Sequence, residues 1–325
     1  MQRQSSPAFR VKYHKVFQTF RHATTYDAKL VPAVKAYQHL AGITADGILG
    51  PLTFAALQGE GIRVRRQRIL YAMERMRWLP HDFSDRYVFV NQPAFTAQYF
   101  EKGVEKLFMK AVVGSERHPT GFFHDVIRGV VFNPSWGMPQ SIVRNEMIPR
   151  IVADRSYLTR NGYELYNNKG KRMAAHAVNW HRVAKAGGVH IRQKPGPRNA
   201  LGALKIMFPN RHDIYMHDTP AKAVFNREFR AVSHGCVRLA RPLHMAAAVL
   251  GSSVDKLKHT IGKKERSVAL QETVPVYLAY FTAWPNAKNG IVEYFDDIYR
   301  LDKAMDVADE TIRQSRRVDA SHTAG

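Results

Sequence analysis

Between residues 30 and 57, apolar side chains recur at helical spacing. Val34, Tyr37, Leu40 and Ala41 mark one stripe, Ala45-Asp46-Gly47 turns the chain, and a second helical pattern covers 53–57. Residues 65–79 (RRQRILYAMERMRWL) predict a longer helix. Its buried stripe is expected at Ile69, Met73, Met76 and Leu79, with most arginines outward and Pro80 as the stop. Beyond it the pattern changes. Short β-branched and aromatic runs at 87–90, 107–113 and 130–132 predict strands, punctuated by Gly114, Pro119 and Gly121. Residues 138–186 break that rhythm with a polar, partly helical segment, and strands resume at 189–191, 203–208 and 213–216. No Gly/Ser/Pro-rich linker flanks the break, so it reads as an insertion into one domain. Residues 241–250 predict a helix started by Pro242, and 274–281 a strand. The charged stretch from 301 predicts a surface helix fraying by residue 317. The first 25 or so residues are polar and basic without sustained period, and are expected to form a mobile arm.

Composition narrows the class. A chain of 325 residues that is 45% hydrophobic can bury a substantial core, which excludes global disorder. Its 49 Lys/Arg against 27 Asp/Glu give a net charge of +22, which points to polyanionic surroundings: nucleic acid, anionic lipid or an anionic wall polymer. Residues 181–240 carry eleven Lys/Arg against three Asp/Glu, yet no zinc-finger spacing, RNP-like aromatic motif or recognition helix accompanies them, so no nucleic-acid partner is expected. No stretch approaches the ~20 apolar residues of a membrane span. The N-terminus lacks the apolar core of a secretory signal. The chain is therefore either cytosolic or begins downstream of its export signal. Fifteen histidines are present without HExxH or Cys-x-x-Cys spacing, and no metal or other cofactor is expected.

One cysteine, Cys236, stands in Ser233-His234-Gly235-Cys236-Val237-Arg238. A single thiol excludes an intramolecular disulfide and any multi-cysteine metal site. Glycine before it permits a tight turn and can free amide N–H groups to face a reacting oxygen. A thiol with a pKa of ~8.5 is only a few per cent ionised at neutral pH, so a nucleophilic cysteine needs a base or cation nearby. His217, His234 and Arg238 are close in sequence; a buried, inert cysteine beside surface histidines is the competing interpretation.

The pattern His217, fifteen residues, then Ser233-His234-Gly235-Cys236 resembles the signature of the L,D-transpeptidase catalytic domain of YkuD type. Further stretches are similar to the large, YcbB-like branch. They are ILYAMERMRWLP (69–80), VFNPSW (131–136), QKPGPRNALG (193–202), Phe208-Pro209-Asn210 and Val274-Pro275-Val276. Residues 34–53 resemble a small helical peptidoglycan-binding module through Val34, Tyr37-Gln38, Gly42-Ile43, Asp46-Gly47-Ile48, Gly50 and Thr53. The resemblance implies an α+β fold, with a mixed β-sheet, sandwich-like catalytic core, an inserted lid subdomain and a small helical N-terminal module. The expected division is an arm and module at 1–59, a connecting helix at 60–85, a catalytic domain at 86–300 with a capping insertion at 138–186, and a tail at 301–325.

It also implies Cys236 as nucleophile and His217 as general base, oriented by the backbone carbonyl of Asp218. The Gly235 and Cys236 amides, helped by the Tyr215 hydroxyl, would form the oxyanion hole. Arg238 would grip a substrate carboxylate, with Ser233 and His234 as further candidate substrate contacts; Asn133 and Trp136 read as turn and core first and as candidate substrate contacts second. Tyr157, Tyr163 and Tyr166 would line a groove or pack the lid, packing being favoured. The implied reaction takes peptidoglycan as partner. A tetrapeptide stem donates its third-residue carbonyl, D-alanine leaves, and an amine on a second stem forms a 3→3 cross-link in the periplasm or cell envelope. Water or a lipoprotein lysine are alternative acceptors, a non-catalytic wall-binding protein is a further alternative, and carbapenem-type inhibitors are expected partners of the thiol. The oligomeric state is left open.

Overall fold

The computed structural model describes residues 7–20, 25–57, 61–287 and 289–322. Helices α1 (Pro7–Lys12), α2 (His14–Thr19), α3 (Val31–Leu40), α4 (Pro51–Leu57) and α5 (Gly61–Arg77) come first. Strands β1 (Arg86–Asn91), β2 (Thr96–Glu101), β3 (Val104–Gly114), β4 (Phe123–Phe132) and β5 (Trp136–Gly137) follow. Next are α6 (Gln140–Ile142), a π-helical turn at Val143–Met147, α7 (Ile148–Ala153) and α8 (Tyr157–Arg160). The chain continues through β6 (Tyr163–Asn167), β7 (Arg172–Met173), α9 (Trp180–Ala186) and β8 (Val189–Gln193). Strands β9 (Leu204–Met207), β10 (Met216–His217), β11 (Ala231–Ser233) and β12 (Val237–Leu239) precede α10 (Pro242–Leu250) and α11 (Val254–Lys258). The last elements are β13 (Arg266–Ala279), β14 (Ala283–Pro285), β15 (Val292–Tyr294) and α12 (Leu301–His322).

The chain divides into two compact units. One gathers Met1–Phe83, Asn91–Phe95 and Leu278–Gly325; the other holds Ser84–Val90 and Thr96–Tyr277. The segment after residue 277, expected in the catalytic domain up to 300, thus clusters with the N-terminal module.

The larger unit is built on a nine-stranded mixed sheet of order β11-β3-β12-β10-β9-β4-β13-β1-β2, which closes on itself because β2 also pairs with β3. Alternation sets its inner face: in β9, Leu204 and Ile206 are buried while Lys205 and Met207 are half-exposed. Val88, Ile127, Val130, Val237 and Leu239 are likewise fully buried, each worth about 1.5–3 kcal/mol of apolar burial. The α+β expectation holds, and the sandwich-like core is a closed sheet.

The insertion is more ordered than its polar sequence suggests. Strands β5, β8, β6 and β7 form a separate four-stranded sheet over a separate core that includes Val143, Met147, Ile151, Leu158, Leu165 and Ile191. The run at 189–191, expected to resume the main sheet, belongs here instead. Val189 and Ile191 point into the insertion's core, and their alternates are exposed. The subdomain therefore spans about 136–193. Tyr157 and Tyr163 stack at 6.1 Å and pack on this core, as favoured, and Tyr166 donates to Glu164 at 2.8 Å.

In the smaller unit, Gln38 of α3 explains the module's motif. Its buried amide reaches Asp46 Oδ1 at 2.7 Å, the Ile48 carbonyl at 2.8 Å and Thr53 Oγ1 at 2.9 Å, while its oxygen accepts from Gly47 N at 2.8 Å. Gly47 takes φ +80° in that turn. Ile43 and Leu52 of the module share one core with Ala283 and Tyr294 of β14 and β15.

Two expectations are corrected here. The first 25 residues are not wholly an arm: Phe9 of α1 is buried, its ring 4.9 Å from Tyr13 and 6.4 Å from Tyr37, and that aromatic seam holds the segment. Residues 1–6 and 21–24 lie outside the described residues. On α5 the expected face is reversed. Ile69, Met73 and Met76 are exposed, whereas Arg68, Tyr71 and Arg75 are buried beside Leu79. Arg75 bonds Asp302 of α12 at 2.5 Å and lies over the Tyr280 ring at 5.1 Å. Tyr71 bonds Asp306. The expected tail is thereby a docked helix described to His322, beyond the residue 317 at which fraying was expected.

Candidate functional site

The local fold places Cys236 through a tight turn between β11 and β12. Gly235 sits at φ +109°, a conformation that a side chain would strain. Ser233 Oγ fastens the turn by donating to the Cys236 carbonyl at 2.6 Å and accepting from Gly235 N at 3.1 Å. Thr120 Oγ1 donates to the Gly235 carbonyl at 2.5 Å and accepts from Gly114 N at 2.9 Å. This network alters one expectation: the Gly235 amide is engaged by Ser233, so it is not free to face a substrate oxygen. Cys236 N has no hydrogen-bond partner among the described residues.

His217 ends β10, where parallel pairing sets it opposite Arg238 and antiparallel pairing sets it opposite Lys205. The ring is buried, and its Nδ1–H donates to the Asp218 carbonyl, which leaves Nε2 as the basic nitrogen. The Asp218 carboxylate has a separate task. It accepts from Ala203 N at 2.9 Å and Thr219 N at 2.7 Å, and it pairs with Lys222. Gly202, at φ +60°, must lack a side chain because a Cβ would fall 2.6 Å from Asp218 Cβ. The acid fixes the loop, and the loop fixes the histidine through its carbonyl.

Cys236, His217, Arg238, Tyr215, Ser233, His234 and Trp136 all line one cavity of about 640 Å³. Met138, Ser141 and Ile142 of the insertion form part of its wall. The Tyr215 backbone amide and hydroxyl act on the sulfur and favour its thiolate, and the Trp136 indole acts on the same hydroxyl. The thiol also lies 3.8 Å from the Asp213 carbonyl. Burial, opposed by Tyr215 and Arg238, pushes the thiol pKa up. Burial together with the Arg238 charge pushes His217 down to about 3. The pair therefore rests at neutral pH as thiol and neutral imidazole, poised for proton transfer during attack rather than before it.

Two candidates have further partners in the fold, and for Asn133 the turn reading is the one the structure fits. Asn133 does not line the cavity. It holds φ +48°, its amide donates to the Thr260 carbonyl at 2.7 Å, and it accepts from Gly262 N at 2.8 Å, so its polar atoms pin a turn. His234 borders the cavity but faces the insertion, with Nε2 2.7 Å from Glu146 and its ring 4.8 Å from that of His118. Sequence reasoning missed Lys205 and Thr120. Lys205 carried a signal, as the one charged residue in an apolar strand run; Thr120, remote in sequence from the turn it holds, carried none. Among the described residues no cluster of His, Cys, Asp and Glu is arranged to hold a metal ion.

Comparison with known proteins gives the family. The family model described as "L,D-transpeptidase catalytic domain" (YkuD) matches residues 85–273, and "Putative peptidoglycan binding domain" matches residues 17–57. A Haemophilus influenzae protein described as "Putative L,D-transpeptidase" is 31% identical over 247 residues, covering 75% of this chain. The chain spans about half the length of that curated relative, 50%. Among solved structures, an L,D-transpeptidase from Mycobacterium smegmatis is 12% identical at TM-score 0.30, over 59% of this chain and 58% of that one. The catalytic domain of an Enterococcus faecium L,D-transpeptidase acylated by ertapenem is 12% identical at TM-score 0.28, over 59% and 99%. With more than half of its length matched by one family model, and with the cysteine turn and its histidine meeting in a single cleft, this chain belongs to the YkuD family of L,D-transpeptidase catalytic domains and carries a peptidoglycan-binding-type module ahead of it.

Proposed function

We propose that the chain joins peptidoglycan stems in the cell envelope, forming 3→3 cross-links through a thioester on Cys236. The observation that carries this reading is the shared cleft of Cys236 and His217, with the imidazole held neutral and its Nδ1 tied to a backbone carbonyl. As the sulfur attacks the third-residue carbonyl of a tetrapeptide stem, its proton passes to His217 Nε2. The Cys236 amide and the Tyr215 hydroxyl stabilise the developing oxyanion. Collapse expels D-alanine, whose amine takes the proton back from His217. The amine of a second stem then attacks the thioester, with His217 again accepting a proton, and the thiol is regenerated. Arg238 holds a donor carboxylate, Trp136 orients Tyr215, and the insertion keeps water from the thioester, which favours transpeptidation over carboxypeptidase hydrolysis.

The test uses the single thiol. A carbapenem carbonyl is strained and mimics the scissile amide, so intact mass spectrometry should show one equivalent on the wild type and none on Cys236→Ala. His217→Ala should acylate roughly 10²–10⁴-fold more slowly, recovering in part at alkaline pH. An adduct on Cys236→Ala, or wild-type acylation by His217→Ala at neutral pH, would break the dyad. Muropeptide analysis of treated sacculi should yield cross-linked dimers; trimmed tripeptides alone would make the chain a carboxypeptidase.

A further inference from the structure

His217 has two cross-strand neighbours, Lys205 on β9 and Arg238 on β12, and directly paired residues project from the same sheet face. Both are cations, and both line the cleft with the thiol. Among the described residues, neither makes an ion pair. Arg238 Nε is buried with no hydrogen-bond partner. Lys205 lies over the Tyr215 ring at 5.5 Å. The carboxylate whose charge acts on it, Glu265, is held by Ser135 at 2.8 Å and Arg192 at 3.4 Å. Two half-buried cations without a counter-ion are costly in a folded protein, since burial disfavours the charged form of each. Such an arrangement persists where an anion arrives from outside.

We propose that Lys205 and Arg238 together form a two-cation subsite for a carboxylate of the donor stem, with Lys205 as a specificity-determining residue. Arg238 offers a planar fork and Lys205 a compact point charge, which suits one carboxylate held from two sides. A stem whose carboxylate is replaced by a carboxamide keeps the shape and loses the charge, so it is the substrate this subsite rejects. The proposal rests on the stem-joining reading above, but its test is independent of turnover.

Because Cys236 is the only cysteine, two alkylating reagents of matched size read the field at its sulfur. Iodoacetate carries a carboxylate and iodoacetamide a neutral amide; in both, the thiolate forms a sulfur–carbon bond as iodide leaves. The ratio of their rates on wild type should exceed that on Lys205→Met roughly tenfold, with a similar fall for Arg238→Met and a larger one for the double variant. Lys205→Arg should keep the ratio. A merely structural disturbance would slow both reagents equally. On wild-type protein the ratio should also fall as salt rises, a readout that needs no variant. Unchanged ratios in folded Lys205→Met, or a salt-independent ratio on wild type, would overturn the subsite whether or not the chain joins stems. With donor stems, Lys205→Met should raise KM for the carboxylate form and erase its advantage over the carboxamide; retained discrimination would again overturn it.

Discussion

Arg75 and Arg238 are both arginines withdrawn from bulk water, and they end in opposite electrostatic states. Arg75 is 1% exposed on α5 and bonds Asp302, which also accepts from Thr282 at 2.6 Å and faces Arg68 at 3.9 Å. Its charge is answered within the fold, and its work is to hold α12 on α5. Arg238 sits in the cleft without a carboxylate partner, and its charge acts on the thiol and on His217. The contrast separates two uses of a buried cation. One that finishes a structure is neutralised by a residue; one that recognises a ligand is left incomplete until the ligand comes.

The sharpest way to break the comparison is to strand the counter-ion of the first arginine. Arg75→Met leaves buried Asp302 with only Thr282 and the Arg68 guanidinium at 3.9 Å, and should cost about 3–5 kcal/mol in urea unfolding of the smaller unit. The folded fraction should still acylate Cys236 at the wild-type rate. Arg238→Lys should do the reverse: melting nearly unchanged, and turnover lowered by about 1.5–3 kcal/mol, or roughly ten- to a hundredfold in kcat/KM. Equal turnover would make Arg238 a second Arg75. Gly202→Ala probes an intermediate case, a structural contact that orients the site. Its Cβ displaces Asp218, so stability should fall by about 1–3 kcal/mol and acylation should slow with it. A further effect, comparable in size, concerns pH. His217 titrates near 3 in the fold against about 6.5 when free, so between those values the unfolded chain binds the extra proton. Stability should rise with pH across that window, and His217→Gln should flatten the rise in Tm measured from pH 4.5 to 7.

What the sequence made legible was local. The His217-to-Cys236 motif, the Asp46-Gly47 turn and most strands and helices were readable because each depends on neighbours a few residues away. The facing of α5 was not, because the carboxylate that draws Arg75 inward lies 227 positions along the chain. Nor was the allegiance of 189–191: a short alternating run identifies a strand and not the sheet it joins. Asn133 was readable as a turn residue, but the turn it pins was not. Its positive φ and its bonds to the 260–264 turn are facts of tertiary structure. Lys205 was visible as an odd charge in an apolar strand, but only the register with His217 gives it a meaning.

The core that residues 43 and 52 share with 283 and 294 has a consequence for the order of assembly. Thr44 reaches the Tyr294 carbonyl across 250 positions. During synthesis the amino-terminal helices emerge long before the hairpin and α12 that complete their core. The catalytic sheet, closed by residue 279, can be built while they wait. The module is thus made before the catalytic sheet and finished after it. A ribosome that stops short, or a protease that clips the final helix, should leave a chain with a formed thiol turn and an unsealed amino-terminal end.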